Sequence, residues 1–444
     1  MAFPSRLCLL LCLISSLFIL PTFSFPYTLE LSPIPINNNL LSPKDIIVEL
    51  AKSALERAYY LKRQNKISSA PSYDLFPRYG GYTILLSFGT PSQTLPVIFD
   101  TGSSFIWVPC SFGFELFIFN PELSSTNFPV TCNNKKCAWL DEPGTMASCP
   151  DCLQSSPGSC TEPCSYSRAY GSDITSGNAI FENVNLPGKA PNEIFMGCSP
   201  LTTGDIPQGI IGFGKMPMSL PKQIRLNKFS YCLLVHKFDS TRQSTKLILG
   251  DSGVIKGIKY TPLLKNPSTI PANGYYYIKL YQINIGSKIV KIPNDIVVPN
   301  QNGNGGTIVD TRTAYTYMHP TVFDLIALAY QDQIPLDEKD RVSLLQTPGG
   351  TMLCINVTGI DFEKDLVVPK MAFLFKDGVK MDLPVANYAL YDQDTLCLPF
   401  VTPTNQTGDG TGPAIILGSY QQANFRIEYD LKNKRLGLKK QICG

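Results

Sequence analysis

Two stretches decide the fold: VIFDTGSSFIWV at residues 97–108 and TIVDTRTAYTYM at residues 307–318. They align without gaps. Each carries an apolar, strand-like run into Asp-Thr, and each sets a hydroxyl residue, Ser103 or Thr313, two positions beyond that Thr. Later in each half an apolar run meets glycine, GIIGFG at 209–214 and AIILGSY at 414–420. Self-similarity of this kind marks a duplicated architecture, and it predicts two homologous halves joined near residues 255–275.

Around these motifs, short β-branched and aromatic runs alternate with Gly, Pro and Asn, as in YTILLSFGTP, KLILGDSG, YYYIKLYQINIGS and NFRIEYD. Such punctuation predicts a mostly β chain with few helices, the segment PTVFDLIALAYQDQ after His319 being one helix candidate. With 444 residues, 44% hydrophobic and 16% charged, the chain can bury a substantial core. The formal net charge is only +3, and no long basic block interrupts the β region, which argues against a nucleic-acid partner.

The amino terminus has a different character. Arg6 followed by an apolar run from Leu7 to Leu20 predicts a signal peptide over residues 1–24. No second long apolar run follows, so no membrane anchor is expected once the signal is removed. Residues 25–78 then read as a propeptide with a Pro/Asn-rich start. Within it Ile46, Ile47, Leu50, Ala54, Leu55 and Ala58 recur at helical spacing, with charges assigned to the opposite face. An ordinary peripheral helix is the alternative reading of the same pattern.

Of the 14 cysteines, Cys8 and Cys12 fall in the signal, and the remaining even number points to disulfides in an oxidising compartment. The spacing of Cys149, Cys152, Cys160 and Cys164 overlaps with metal-ligand spacing, but the secretory setting favours disulfides, and no metal or cofactor is expected. Asn356 and Asn405 head glycosylation sequons.

Two carboxylates that share one site cannot both ionise freely, so one can act as base while the other acts as acid. Asp100 and Asp310, one per half and each at a strand end beside hydroxyl groups, are the candidates for such a pair. Rival schemes lack parts: only His236 and His319 are present, and neither sits in a metal-binding or nucleophile-elbow context.

FDTGSSFIWVPC, GIIGFG, the second Asp-Thr motif and the terminal AIILGSYQQANFRIEYDLKNKRLGLKKQIC together resemble the pepsin-like aspartic proteases, and the cysteine-rich character resembles the plant nepenthesin-like group. The resemblance spans Tyr79 to Cys443. It implies a bilobal acid-protease fold, with an N-terminal lobe at 79–262, a C-terminal lobe at 263–444 and a cleft between them. It also implies Asp100 and Asp310 as the catalytic dyad. Thr101, Gly102, Ser103, Thr311 and Thr313 would support them. Tyr170 and Gly171 would stand at the tip of a hairpin flap, with Trp107 behind it. Disulfides Cys110–Cys198, Cys232–Cys443 and Cys354–Cys397 follow from the same resemblance, leaving the six cysteines from Cys132 to Cys164 to pair among themselves in an order the sequence leaves open.

The implied activity is a secreted, monomeric, zymogen-derived endopeptidase acting on protein or peptide substrates at acidic pH, in the extracellular or cell-wall space or the vacuole. The second motif departs from the family, because Arg312 stands where the family has Gly. If its guanidinium turned toward the dyad it would hold both carboxylates ionised; if it pointed into the open cleft it would select an acidic or small substrate residue. The other class of function left open is an inactive homologue that binds a protein or a polysaccharide-degrading enzyme. The flap segment, SDITSG after Tyr170-Gly171, is also one residue shorter than the family's.

Overall fold

The computed structural model describes residues 26–34, 42–62, 81–111, 118–140, 145–149, 160–170, 173–202, 208–235, 243–269, 271–333, 342–347, 349–358, 368–392, 395–404 and 411–443. The signal segment, Gly171, His236 and Asn405 lie outside them. Among the described residues the strands form sheets of 15, 8 and 4 strands, in agreement with the mostly β reading.

The repeated motifs build the same unit twice. Strand β3 (Gln93–Asp100), reached by an antiparallel turn from β2 (Tyr82–Phe88), runs parallel to Gly209–Gly212, with Gly212 beside Asp100. In the second half Thr307–Val309 runs parallel to Ile415–Leu417. The backbone then closes each loop: Phe213 N–H donates to the Asp100 carbonyl at 2.7 Å, and Asp310 N–H donates to the Leu417 carbonyl at 3.1 Å. Glycine is required beneath each loop because a β-carbon at Gly212 would collide with the Ser104 backbone, and one at Gly418 with the Ala314 carbonyl. The two apolar-to-glycine motifs are therefore the props under the two aspartates.

One element of the amino-terminal segment was not legible as structure. Tyr27–Pro33 forms strand β1, whose residues pair antiparallel with both Thr245–Leu249 and β2, Leu29 opposite Leu247 and Leu31 opposite Ile84. Both leucines are buried in the main core. The alternation of buried and exposed positions in YTLELSP is the β pattern, short enough to be hidden by the prolines and asparagines after it.

Helix α1 (Pro43–Lys62) matches the expected amphipathic helix. Its start is a capping box: Asp45 N–H donates to Ser42 Oγ at 3.2 Å, while Asp45 Oδ2 accepts from the Ser42 N–H at 3.0 Å. Pro43 follows at a first-turn position where a missing N–H costs nothing. Ile46, Ile47, Leu50, Ala51, Ala54, Leu55, Ala58 and Leu61 pack against Tyr275, Tyr315, Tyr317, Met352 and Val401 of the second half. The expectation that its charges face away is corrected for Arg57 and Lys62, both buried. Arg57 lies three residues after Ala54 and four before Leu61, on the apolar stripe itself, and the helix turns it inward.

Disulfides join Cys110 to Cys198, Cys232 to Cys443 and Cys354 to Cys397. Within the cysteine-rich insertion the open pairing resolves in part as Cys132–Cys149 and Cys137–Cys164. The close approach of the sulfurs of Cys132, Cys137 and Cys149 is thus that of two neighbouring disulfides. The second helix expected from sequence is Pro320–Gln331. His319 caps it, its Nδ1 accepting from the Thr321 N–H at 3.3 Å.

Leu50 is fully buried under α1, so Leu50→Ala is expected to weaken docking of the helix by about 2–5 kcal/mol. Hydrogen exchange should show the loss as faster exchange confined to residues 43–62, with the central sheet unchanged.

Candidate active site

Asp100 closes β3 and Asp310 follows Thr307–Val309, so each carboxylate is presented at a strand end with no exposed surface. The threonines beside them lock the two loops together across the pseudo-two-fold. Thr101 N–H donates to Thr311 Oγ1 at 3.2 Å and Thr311 N–H donates to Thr101 Oγ1 at 3.1 Å. Each hydroxyl in turn donates to the opposite strand, Thr101 to the Val309 carbonyl at 3.1 Å and Thr311 to the Phe99 carbonyl at 3.0 Å. Both amides and both hydroxyls donate, which is what holds buried polar groups in one geometry.

Above this brace the carboxylates have matching partners. Ser103 Oγ donates to Asp100 Oδ2 at 2.8 Å and Thr313 Oγ1 donates to Asp310 Oδ2 at 2.5 Å. Gly102 N–H donates to Asp100 Oδ1 at 2.9 Å; a β-carbon at Gly102 would run into the Asp310 carboxylate and the Arg57 guanidinium. Trp107 Nε1–H donates to the Tyr170 hydroxyl at 2.9 Å, so the hairpin of Ser165–Tyr170 and Asp173–Asn185 is pinned over the site. The structure thus brings together Asp100, Asp310, Thr101, Gly102, Ser103, Thr311, Thr313, Trp107 and Tyr170. Asn356 is exposed, at the end of Gly350–Asn356.

The residue that dominates the site was not anticipated. Arg57, from α1, reaches both carboxylates at once: Nη2 donates to Asp100 Oδ1 at 2.7 Å and Oδ2 at 2.9 Å, and Nε donates to Asp310 Oδ2 at 3.0 Å. The contact is buried on both sides. Neighbouring residues of α1 fasten it. The Tyr60 ring stacks on Tyr170 with centroids 5.6 Å apart, and its hydroxyl accepts from Arg168 Nη2 at 2.9 Å. The Leu61 carbonyl accepts from the Tyr275 hydroxyl at 2.9 Å, and Lys62 Nζ donates to the Tyr317 hydroxyl at 3.0 Å.

Arg312 does not point into open space. It is buried, its Nη1 lies 4.0 Å from Asp100 Oδ2, and its Cζ lies 5.4 Å from the centre of the Tyr170 ring. Two guanidiniums therefore face two carboxylates. Burial and then the like charge of Arg57 press the Arg312 pKa downward, whereas for Arg57 the attraction of Asp100 and Asp310 outweighs burial and moves its pKa upward. Burial raises the Asp100 carboxyl against the pull of Arg57. At Asp310 burial acts in the same sense, but Arg57 and the Thr313 hydroxyl overcome it, and that carboxyl is held below its usual range.

Comparison with known proteins places the chain among close architectural kin. Residues 82–251 match the family described as xylanase inhibitor N-terminal, and residues 275–440 the family described as xylanase inhibitor C-terminal. Aspartic proteinase nepenthesin-1 of Nepenthes gracilis is 29% identical over 89% of this chain and 86% of its own. Aspartyl protease AED3 of Arabidopsis thaliana is 28% identical over 94% of this chain and 90% of its own. Among solved structures, edgp superposes with a TM-score of 0.62 at 19% identity over 94% of this chain and 95% of that one. Basic 7S globulin from soybean superposes with a TM-score of 0.58 at 20% identity, over 81% and 93%.

The sign of the pH dependence follows from Asp310, whose carboxyl, though burial raises it, is held below its usual range by Arg57 and the Thr313 hydroxyl. A helix-bound state that holds fewer protons gains stability with rising pH. Docking of α1 is therefore strongest above the ordinary carboxylate range near ~4. It weakens as pH falls through the depressed Asp310 value. Hydrogen exchange of residues 43–62, corrected for intrinsic rates, should stay slow at neutral pH and accelerate below about pH 4; protection unchanged on acidification would contradict the assignment.

Proposed function

The chain belongs to the pepsin-like aspartic protease family, in the plant nepenthesin-like group, and from that membership we propose that it is a secreted aspartic endopeptidase made as a latent precursor. The observation that carries the reading is that one guanidinium touches both buried carboxylates. Asp100 and Asp310 are close enough to share a single small partner, which is the geometry a water molecule between two carboxyl groups requires.

With α1 displaced, the loss of Arg57 removes one positive charge, and the two carboxylates relax to a form that shares a proton. One carboxylate takes a proton from a water whose oxygen attacks the substrate carbonyl carbon, while the shared proton passes to the carbonyl oxygen. Collapse of the tetrahedral species, with a proton delivered to the nitrogen, breaks the C–N bond. Ser103 and Thr313 fix the carboxylate orientations through the reaction, and the Tyr170 hairpin closes over the bound chain and excludes water.

Within residues 25–78, latency is the role we assign to helix α1, β1 being part of the central sheet. The helix can leave the cleft without dismantling the sheet, because residues 34–42 separate α1 from β1. Residues 79–262, with β1 still in their sheet, and residues 263–444 are then the two lobes of the working enzyme, with the glycosylation sequon at Asn356 and the disulfides suiting the extracellular space, cell wall or vacuole. No helix among the described residues is long and apolar enough to cross a membrane.

A second reading draws on Arg312. Its guanidinium stays beside Asp100 after Arg57 departs, and a resident cation there favours both carboxylates ionised, which withholds the shared proton. On that reading the cleft binds a protein partner without cutting it.

Acid-treated protein incubated with a denatured protein at about pH 4 is expected to give new peptide termini, blocked by pepstatin and abolished in Asp100→Asn. Absence of cleavage in the native chain together with its appearance in Arg312→Gly would select the second reading.

A further inference from the structure

The second half carries a cavity that the dyad does not use. The strands Leu280–Ile285, Lys288–Lys291, Met371–Phe375 and Val379–Asp382 form a four-stranded sheet of their own, separate from the two that present Asp100 and Asp310. Lys279, Lys291 and Lys376 line a cavity of about 620 Å³ beside this sheet, within the range of roughly 300–1,000 Å³ found for small-ligand pockets. The backbone brings them together: Lys376 N–H donates to the Lys279 carbonyl at 3.0 Å, and Ile292 N–H donates to the Tyr281 carbonyl at 3.0 Å. The pairing of Leu280–Ile285 with Met371–Phe375 shifts register between Leu280 and Gln282. Such an irregularity re-aims the side chain it contains, here Tyr281, which is also on the lining.

Three ammonium groups are thus collected without an answering charge. None of the three lysines forms an ion pair among the described residues. On the same sheet, by contrast, Lys380 pairs with Asp382 at 2.7 Å and Lys288 with Asp332 at 3.0 Å. A concave surface of one charge concentrates ions of the other. Lysine can only donate, whereas two other polar groups of the lining accept. One is the Asp377 carboxylate. The other is Gln282, whose Nε2 donates to Asn284 Oδ1 at 2.7 Å, which fixes the amide and leaves its oxygen to accept. A matching ligand therefore brings both anionic oxygens and hydroxyl donors, and Tyr281 and Pro293 offer apolar surface to a ring.

We propose that this cavity binds an acidic oligosaccharide, with Lys279, Lys291 and Lys376 meeting its anionic groups and Asp377 and Gln282 its hydroxyls. An inorganic polyanion satisfies the lysines, but Asp377 repels it and it gives Gln282 no donor. Uronate carboxylates and sulfate esters present the same chemistry from two kinds of sugar. The site is independent of whether the cleft cuts peptides.

The full chain is titrated with a galacturonic acid oligomer, its methyl ester, a sulfated galactan oligomer and linear polyphosphate, in about 0.15 M salt, where charges more than about 8 Å away are screened. At least one acidic oligomer is expected to bind, the methyl ester not to bind, and polyphosphate to bind at least about tenfold more weakly than the sugar. Lys279→Gln, Lys291→Gln and Lys376→Gln should each weaken sugar binding by about threefold, and the triple variant by about twentyfold. Lys288→Gln and Lys380→Gln, which remove paired lysines from the same sheet, should leave it unchanged. Binding of the uronate or of the sulfated oligomer alone sustains the site and identifies its anion. Binding of neither, polyphosphate bound as tightly as the sugar, or losses in Lys288→Gln and Lys380→Gln as large as those in the cavity variants would overturn the proposal.

Discussion

Arg57 resolves an electrostatic problem that the fold creates for itself. Two strand ends deliver Asp100 and Asp310 to one buried point, where like charges at close range are costly and isolated carboxylates costlier still. A guanidinium has the planar fork needed to serve both at once, and α1 supplies it from an apolar stripe whose own burial holds the side chain in place. The Thr101–Thr311 brace, the Ser103 and Thr313 hydroxyls and the pinned Tyr170 hairpin all presuppose this point. The helix and the dyad are therefore one structural unit in the form described: without the dyad Arg57 is a buried charge lacking its partners, and without the helix two carboxylates face Arg312 alone.

Much of this was legible from sequence because it is repeated. The gapless match of residues 97–108 with 307–318 placed both aspartates, and the two glycine motifs located the props beneath them through a steric requirement that no other residue meets. Helix α1 was legible from its apolar period. What the period could not say is where the stripe would dock, and so Arg57, an apparent interruption, was assigned to the solvent face. A charged residue at a stripe position, spaced three and four from Ala54 and Leu61, is the signal that could have found it. Strand β1 escaped because a seven-residue alternation amid Pro and Asn carries too little pattern to stand out. Arg168 escaped because on a strand its inward direction depends on register, which only pairing with Asp173–Asn185 fixes.

Arg312 shows how one substitution is read differently once its surroundings are known. From sequence it was either a poison for the dyad or a side chain in open cleft. The geometry is intermediate: beside Asp100 at the edge of ion-pair range, capped by the Tyr170 ring, and excluded from solvent. There it pairs naturally with the loss of Arg57, since the outgoing cation leaves a resident one behind.

The central claim, that a shared guanidinium couples helix to dyad, is tested most directly by a double-mutant cycle of Arg57→Ala and Asp310→Asn. The free energy of α1 opening would be read from hydrogen exchange at neutral pH. The account predicts a coupling of at least about 2 kcal/mol between the two sites. Effects that add to within about 0.5 kcal/mol would contradict it.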